Sequence, residues 1–150
     1  MLLTYNNSVV SEKDAPKNWP DLLDPKWKGK VSIGHPAFSG YVGTWVVLMQ
    51  KLYGWDYFTK LEKNSPQIGR SVNDTVTMLN SKERWVAAGP EATTLLSKDK
   101  GNPLAVVCDG DGLLGAIHRL HGEGLLDLVA DVQRIEGAVG GEGPAAAAVD

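Results

Sequence analysis

Short apolar runs alternate with helix-period segments from Leu2 to Cys108, and this alternation constrains the fold more than any other feature of the chain. Leu2–Tyr5, Val31–Ile33, Trp85–Ala88 and Leu104–Cys108 have the length and content of strands. Between them, Val42, Trp45, Val46, Met49, Leu52 and Tyr53 recur at helical spacing. They predict a helix over 40–53 with one buried face, with Ser39 at its N-cap position and Gly54 after its end. A second helix is expected over 55–63, bringing Trp55, Phe58 and Leu61 together. A third is expected over 73–79, with Ser71 or Asn73 as its cap, and a fourth over 90–97, opened by Pro90. The stretch 11–25 is rich in turns, with Pro16, Pro20 and Pro25, and has room for one short helix around 20–23. Strands alternating with helices give an α/β layer structure on a mixed, mostly parallel sheet flanked by helices.

The last part of the chain is different. Residues 113–150 carry two basic and six acidic residues and lack Lys, Phe, Tyr and Trp. We therefore expect a domain over 1–112 and a divergent tail over 113–150. The tail has one amphipathic helix at 125–135, formed by Leu125, Leu128, Val129, Val132 and Ile135, and a mobile Gly/Ala-rich end from Gly137. That helix is expected to pack on the sheet or against a second copy.

Several function classes are weak from the outset. The net charge is −3 with scattered basic residues, which argues against a nucleic-acid partner. A single cysteine, Cys108, excludes an internal disulfide and a cysteine-based zinc site. No apolar run approaches the ~18–20 residues that span a bilayer. The N-terminus shows no charged and apolar secretion leader, so the chain as written is expected in the cytoplasm. Asp109-Gly110-Asp111-Gly112 begins like a calcium loop, but Leu120 stands where its twelfth-position acid is required, so a polar turn is the better reading. Cys108 with His118 or His121 lacks any catalytic signature, and a cysteine ending an apolar run reads as a small buried hydrophobe. The two histidines alone lack a third metal ligand. No phosphate-loop or dinucleotide fingerprint is present. No catalytic residue, metal or cofactor is therefore expected.

Two strand-to-helix loops carry more information. In His35-Pro36-Ala37-Phe38-Ser39-Gly40-Tyr41, unpaired backbone N–H groups at a helix start favour an anion, Ser39 adds a hydroxyl, and Gly40 permits close approach. The competing reading is that Ser39 caps its own helix. Gly69-Arg70-Ser71-Val72-Asn73-Asp74-Thr75 holds more polar groups than one cap needs, and Arg70 is either an anion contact or a solvated surface cation. Two such loops at one sheet edge converge on a ligand. The candidate ligand-binding residues are Ser39, Gly40, Tyr41, Ser71 and Asn73.

From Pro16 to Val31 the chain reads PKNWPDLLDPKWKGKV, which resembles a signature of bacterial ABC-transporter solute-binding proteins of the ferric-iron type. Tyr5-Asn6 is similar to the end of that family's hinge strand, Ser39-Gly40 to its Ser-Gly helix start, and Ala88-Gly89-Pro90-Glu91 to its Gly-Glu turn with Pro90 as a departure. Asn102-Pro103 through Asp111-Gly112 resembles the returning hinge strand. The resemblance implies one lobe of a type 2 periplasmic-binding-protein fold, non-catalytic, holding a small solute and handing it to an ABC permease. Family members are periplasmic. The family's first lobe, leader and C-terminal segment have no counterpart in this sequence. His35 replaces a usual Asp, and the Tyr-Tyr iron ligand pair is not visible, so iron binding is not implied. The expected solute is anionic and held weakly by half a cleft. The alternative is an interaction module that forms a homodimer through the former cleft face or the tail helix, with no solute.

Overall fold

The computed structural model describes residues 1–107. The tail, its predicted helix at 125–135, Cys108, the 109–112 turn and the histidines at 118 and 121 lie outside the described residues.

Five strands form one sheet in the order β3-β2-β4-β1-β5: β1 Leu2–Asn6, β2 Val31–Gly34, β3 Gln67–Gly69, β4 Val86–Gly89 and β5 Leu104–Val106. β2 runs parallel to β3 and β4, whereas β1 is antiparallel to both β4 and β5. Four strands therefore point one way and β1 alone is reversed, which is the expected mixed, mostly parallel sheet. Helices α1 Gly40–Tyr53, α2 Asp56–Glu62, α3 Asp74–Asn80 and α4 Glu91–Asp99 supply the connections. Among the described residues no helix is long and apolar enough to cross a membrane.

The period-2 alternation of the strands sorts their side chains between the two faces. Leu3, Tyr5, Val31, Ile33, Val86 and Ala88 join the larger core with Trp45 and Met49 of α1 and Tyr57 and Leu61 of α2. Ala87 and Leu104 join Val76 and Leu79 of α3 in a smaller core. The side chains from the same strands that point away from the larger core include polar ones. Asn6 Nδ2 donates to the Leu79 carbonyl (2.7 Å), and the Ser32 hydroxyl lies 3.2 Å from the Met78 sulfur. α4 continues this polar packing, for it buries Thr94 and Ser97 and leaves Leu95 and Leu96 exposed.

The signature segment proves to be a packing device. Asn18 and Asp21 form a reciprocal capping box around the 3-10 turn Trp19–Leu23. Trp19 is buried against Trp45, with ring centroids 5.3 Å apart, and its carbonyl accepts the Tyr57 hydroxyl at 2.8 Å. Asn64, just past α2, donates to the carbonyls of Leu22 (2.7 Å) and Asp24 (2.9 Å). Burial pushes the Tyr57 phenol far above its ordinary value, with Tyr53 adding to the effect. These contacts fix α2 and the long 7–30 connection to the sheet. They do not touch the strand-to-helix loops.

Differences from the sequence expectations are local. β3 is a three-residue strand where no strand was expected, and it follows Pro66 at the sheet edge. Within α2 the buried residues are Tyr57 and Leu61. Trp55, the N-cap residue of α2, meets Phe58 (ring centroids 5.9 Å) but stays 64% exposed. Pro90 occupies the N-cap position of α4 rather than its first turn.

Candidate functional site

Because β2, β3 and β4 are parallel, the loops that leave them all emerge at one edge of the sheet. These are His35–Ser39 into α1, Arg70–Asn73 into α3, and Pro90 into α4. The first two are tied together: the His35 N–H donates to the Gly69 carbonyl at 2.9 Å. The second and third are also tied, since the Thr93 hydroxyl donates to Asn73 Oδ1 at 2.8 Å. All five sequence-predicted residues, Ser39, Gly40, Tyr41, Ser71 and Asn73, lie on this edge.

Glycine at the strand ends makes the convergence possible. A Cβ on Gly34 would sit 2.6 Å from Val42 Cγ2 of α1 and 3.3 Å from the Val72 Cα. A Cβ on Gly69 would sit 2.6 Å from the Asp74 Cβ. Only a residue without a side chain lets strand, helix and neighbouring loop approach this closely.

Ser39 occupies the N-cap of α1 in an extended conformation, but its side chain makes no capping hydrogen bond. The reading in which Ser39 is consumed by its own helix therefore does not describe this structure. Ser71 is different. Its hydroxyl accepts from the Asn73 N–H (3.2 Å), and its own N–H donates to Asp74 Oδ2 (2.9 Å). Part of the hydrogen-bonding capacity of this second loop is thus spent locally, and a carboxylate stands behind it.

Several residues at this edge were missed or undervalued by sequence reasoning. Phe38 is 60% exposed, a large aromatic left in water beside the predicted Tyr41, which is 68% exposed. The His35 ring lies 4.9 Å from the Phe38 ring, and the Arg70 guanidinium carbon lies 5.4 Å from the Phe38 centroid. His35 Nδ1 accepts from the Ala37 N–H at 3.1 Å, which fixes the ring. Arg70 is thus an exposed cation with the Phe38 ring as a neighbour. Thr93 joins the site only because β4 lies beside β2, a pairing that local sequence does not reveal. Among the described residues no cluster of three or more His, Cys, Asp or Glu is arranged to hold a metal ion.

β1 and β5 complete the geometry. β1 starts opposite the end of β4, with Leu2 paired to Gly89, and the Val107 N–H donates to the Leu3 carbonyl at 2.9 Å. The start of β1 and the end of β5 therefore lie side by side on the same edge as the three loops.

Comparison with known proteins finds similar chains among solute-binding proteins. Residues 1–117 match the family described as bacterial extracellular solute-binding protein. An uncharacterized protein of Haemophilus influenzae is 31% identical over 122 residues, covering 77% of this chain and 35% of the relative. A protein of Salmonella typhimurium, provisionally assigned as a 2-aminoethylphosphonate-binding periplasmic protein, is 31% identical over 105 residues (66% of this chain, 30% of the relative). The periplasmic binding protein AfuA of Actinobacillus pleuropneumoniae, solved with fructose-6-phosphate, aligns at a TM-score of 0.64 and 28% identity, covering 74% of this chain and 37% of AfuA. Iron-bound HitA of Pseudomonas aeruginosa aligns at 0.56 and 24% identity, covering 70% and 35%, and speaks to the fold alone. This chain thus spans about a third of the length of the relatives it matches. The matched family is one of solute-binding proteins rather than of enzymes.

Proposed function

This chain belongs to the family of bacterial extracellular solute-binding proteins, and from that membership we propose that residues 1–112 work as one lobe of a two-lobed solute cleft, with 113–150 as a separate tail. The observation that carries the reading is the shared edge. The start of β1 and the end of β5 sit beside the loops after β2, β3 and β4. A second lobe joined through those strands would face the loops and close on a solute by hinge motion.

The wall so defined is formed by Ser39, Gly40, Tyr41, Ser71 and Asn73. We assign it a small anionic solute. The uncapped hydroxyl of Ser39 at the start of the fourteen-residue α1 supports this, as do relatives whose descriptions name a phosphonate and a sugar phosphate. A lone lobe leaves one side of the ligand in water, whereas small-molecule sites bury most of the ligand surface. Affinity is therefore millimolar or weaker unless another chain supplies the opposite wall, and nanomolar binding by a proven monomer would contradict this. Delivery to an ABC permease follows from the family role.

A thermal-shift screen against phosphate, sulfate, small carboxylates and sugar phosphates tests the reading, because a ligand bound only by the folded state raises Tm by mass action. A dose-dependent rise that is lost in Ser39→Ala or Ser71→Ala supports it. A cooperative melt that no ligand shifts counts against it.

A second reading has its own observation. Exposed Phe38 and Tyr41 give the cleft face apolar surface, which favours self-association through that face. Light scattering that shows only monomer across a wide concentration range would remove it.

A further inference from the structure

We infer that the apolar groove between α2 and the outer edge of β3 is the docking site for the chain's own segment 125–135. The inference is independent of solute and concerns the side of the sheet farthest from β5.

The groove has a volume of about 710 Å³, and its apolar lining is Ile33, Trp55, Phe58, Leu61, Pro66 and Ile68. Trp55, Phe58 and Glu62 are spaced three and four apart, so one face of α2 turns toward it. Part of this lining is left in water, for Ile68 is 52% exposed and Trp55 more so. β3 pairs with β2 on one side, and among the described residues no strand pairs with its other side. An open apolar edge invites pairing with foreign chains, and folded proteins cover such edges with a helix or a loop.

The segment 125–135 fits as the cover on three grounds. Leu125, Leu128, Val129, Val132 and Ile135 recur at helical spacing, which gives a helix of that length an apolar stripe ~15 Å long. Asp127 and Asp131 fall outside the stripe. The reach is also right. β5, the last described strand, lies four strand spacings from β3, ~19 Å. Residues 108–124 include five glycines, and a glycine-rich chain of that length has a root-mean-square reach of about 21–25 Å. A link whose reach matches the span holds its segment at an effective concentration in the millimolar range.

Charge separates this occupant from a second copy of the lobe. Residues 1–107 carry a net charge of +3 and residues 108–150 one of −6, so the lobe attracts the tail and repels another lobe. The groove is small for a dimer as well. Trp55 and Ile68 are its exposed large apolar residues, whereas a stable protein–protein interface buries ~800 Å² on each partner.

NOE spectroscopy and amide hydrogen exchange on the isotope-labelled full chain test this without any ligand. The expected result is NOEs from the Leu128 and Val132 methyls to the Trp55 and Phe58 rings, absent between molecules in a mixture of labelled and unlabelled chain. Val132→Asp, which lies outside the lobe, abolishes these NOEs, moves the Ile68 amide signal and lowers exchange protection over 125–135 at least about tenfold. Trp55→Ala lowers that protection to a similar extent from the groove side. Leu96→Ala, which removes an exposed leucine from α4, leaves it unchanged.

Unprotected amides over 125–135 in the wild type, NOEs found only between molecules, or protection that neither Val132→Asp nor Trp55→Ala lowers would each overturn the inference. So would an equal loss in Leu96→Ala. All of these outcomes leave the solute-binding reading standing.

Discussion

Replacing Gly34 by alanine tests whether close approach at the end of β2 builds the site. The added methyl would lie 2.6 Å from Val42 Cγ2 and 3.3 Å from the Val72 Cα. Non-bonded carbons favour ~3.5–4.0 Å, so something must move by about 1 Å. Val42 is wholly buried, and as a β-branched residue on a helix it has little rotamer freedom. The first turn of α1 or the 70–73 loop must therefore yield. Overpacking of this kind costs about 1–3 kcal/mol. Val42→Ala alone removes buried methyls and costs about 1–3 kcal/mol as well. The two changes share one space, so the double variant should be more stable than the sum of the single effects by at least ~1 kcal/mol. Urea denaturation of the four proteins, with m unchanged, measures the coupling. Effects that add to within about 0.5 kcal/mol would refute the claim that the Gly34–Val42 contact limits the approach of strand, helix and loop.

Two further predictions concern the core. The Tyr57 phenol is held protonated in the fold well above its ordinary value of 10.0. In the pH window above ~10 the unfolded chain therefore releases a proton that the native state keeps. Stability due to this group is complete below ~10 and falls with rising pH by up to ~1.4 kcal/mol per unit. Tyr57→Phe should reduce the alkaline slope in pH-dependent denaturation, leaving the part due to Tyr5, whose phenol burial also raises. At neutral pH it should cost about 1–2 kcal/mol for the lost bond to the Trp19 carbonyl, and a slope as steep in the variant as in the parent would be contrary evidence. Thr94 is fully buried, and its hydroxyl has no hydrogen-bond partner among the described residues. Thr94→Val keeps the shape and removes the unpaired group, so it should be neutral or stabilising by up to about 1 kcal/mol, and a loss of more than that would show that the hydroxyl is bonded.

Much of the architecture was legible because it rests on local pattern. The period of Val42, Trp45 and Met49, ended by Gly54, marks α1 from Gly40 to Tyr53 as the structure has it. What was not legible depends on pairing. β3 has three residues, one of them the exposed Ile68, so no periodicity announces it. The reversal of β1 is set by its partners on both sides. α4 packs on β5 and α3 and buries Thr94 and Ser97 rather than its leucines, with the Ser97 hydroxyl accepting from the Asn80 and Asn102 side chains, and no local rule foresees that. The same limit applies to the site. Ser39 and Ser71 could be picked out as hydroxyls in strand-to-helix loops. The significance of Phe38 and Arg70 lies in a contact across thirty-two positions of chain, made when β2 and β3 pair.

The central claim is that solute meets this chain at the edge where the loops after β2, β3 and β4 converge. Amide chemical-shift mapping of the full chain during titration with methylphosphonate tests it most directly. The account predicts dose-dependent shifts confined to Ser39–Val42, Arg70–Asn73 and the start of α4 at Glu91–Thr93. Shifts centred instead on the apolar groove between Trp55, Phe58 and Ile68 would contradict it.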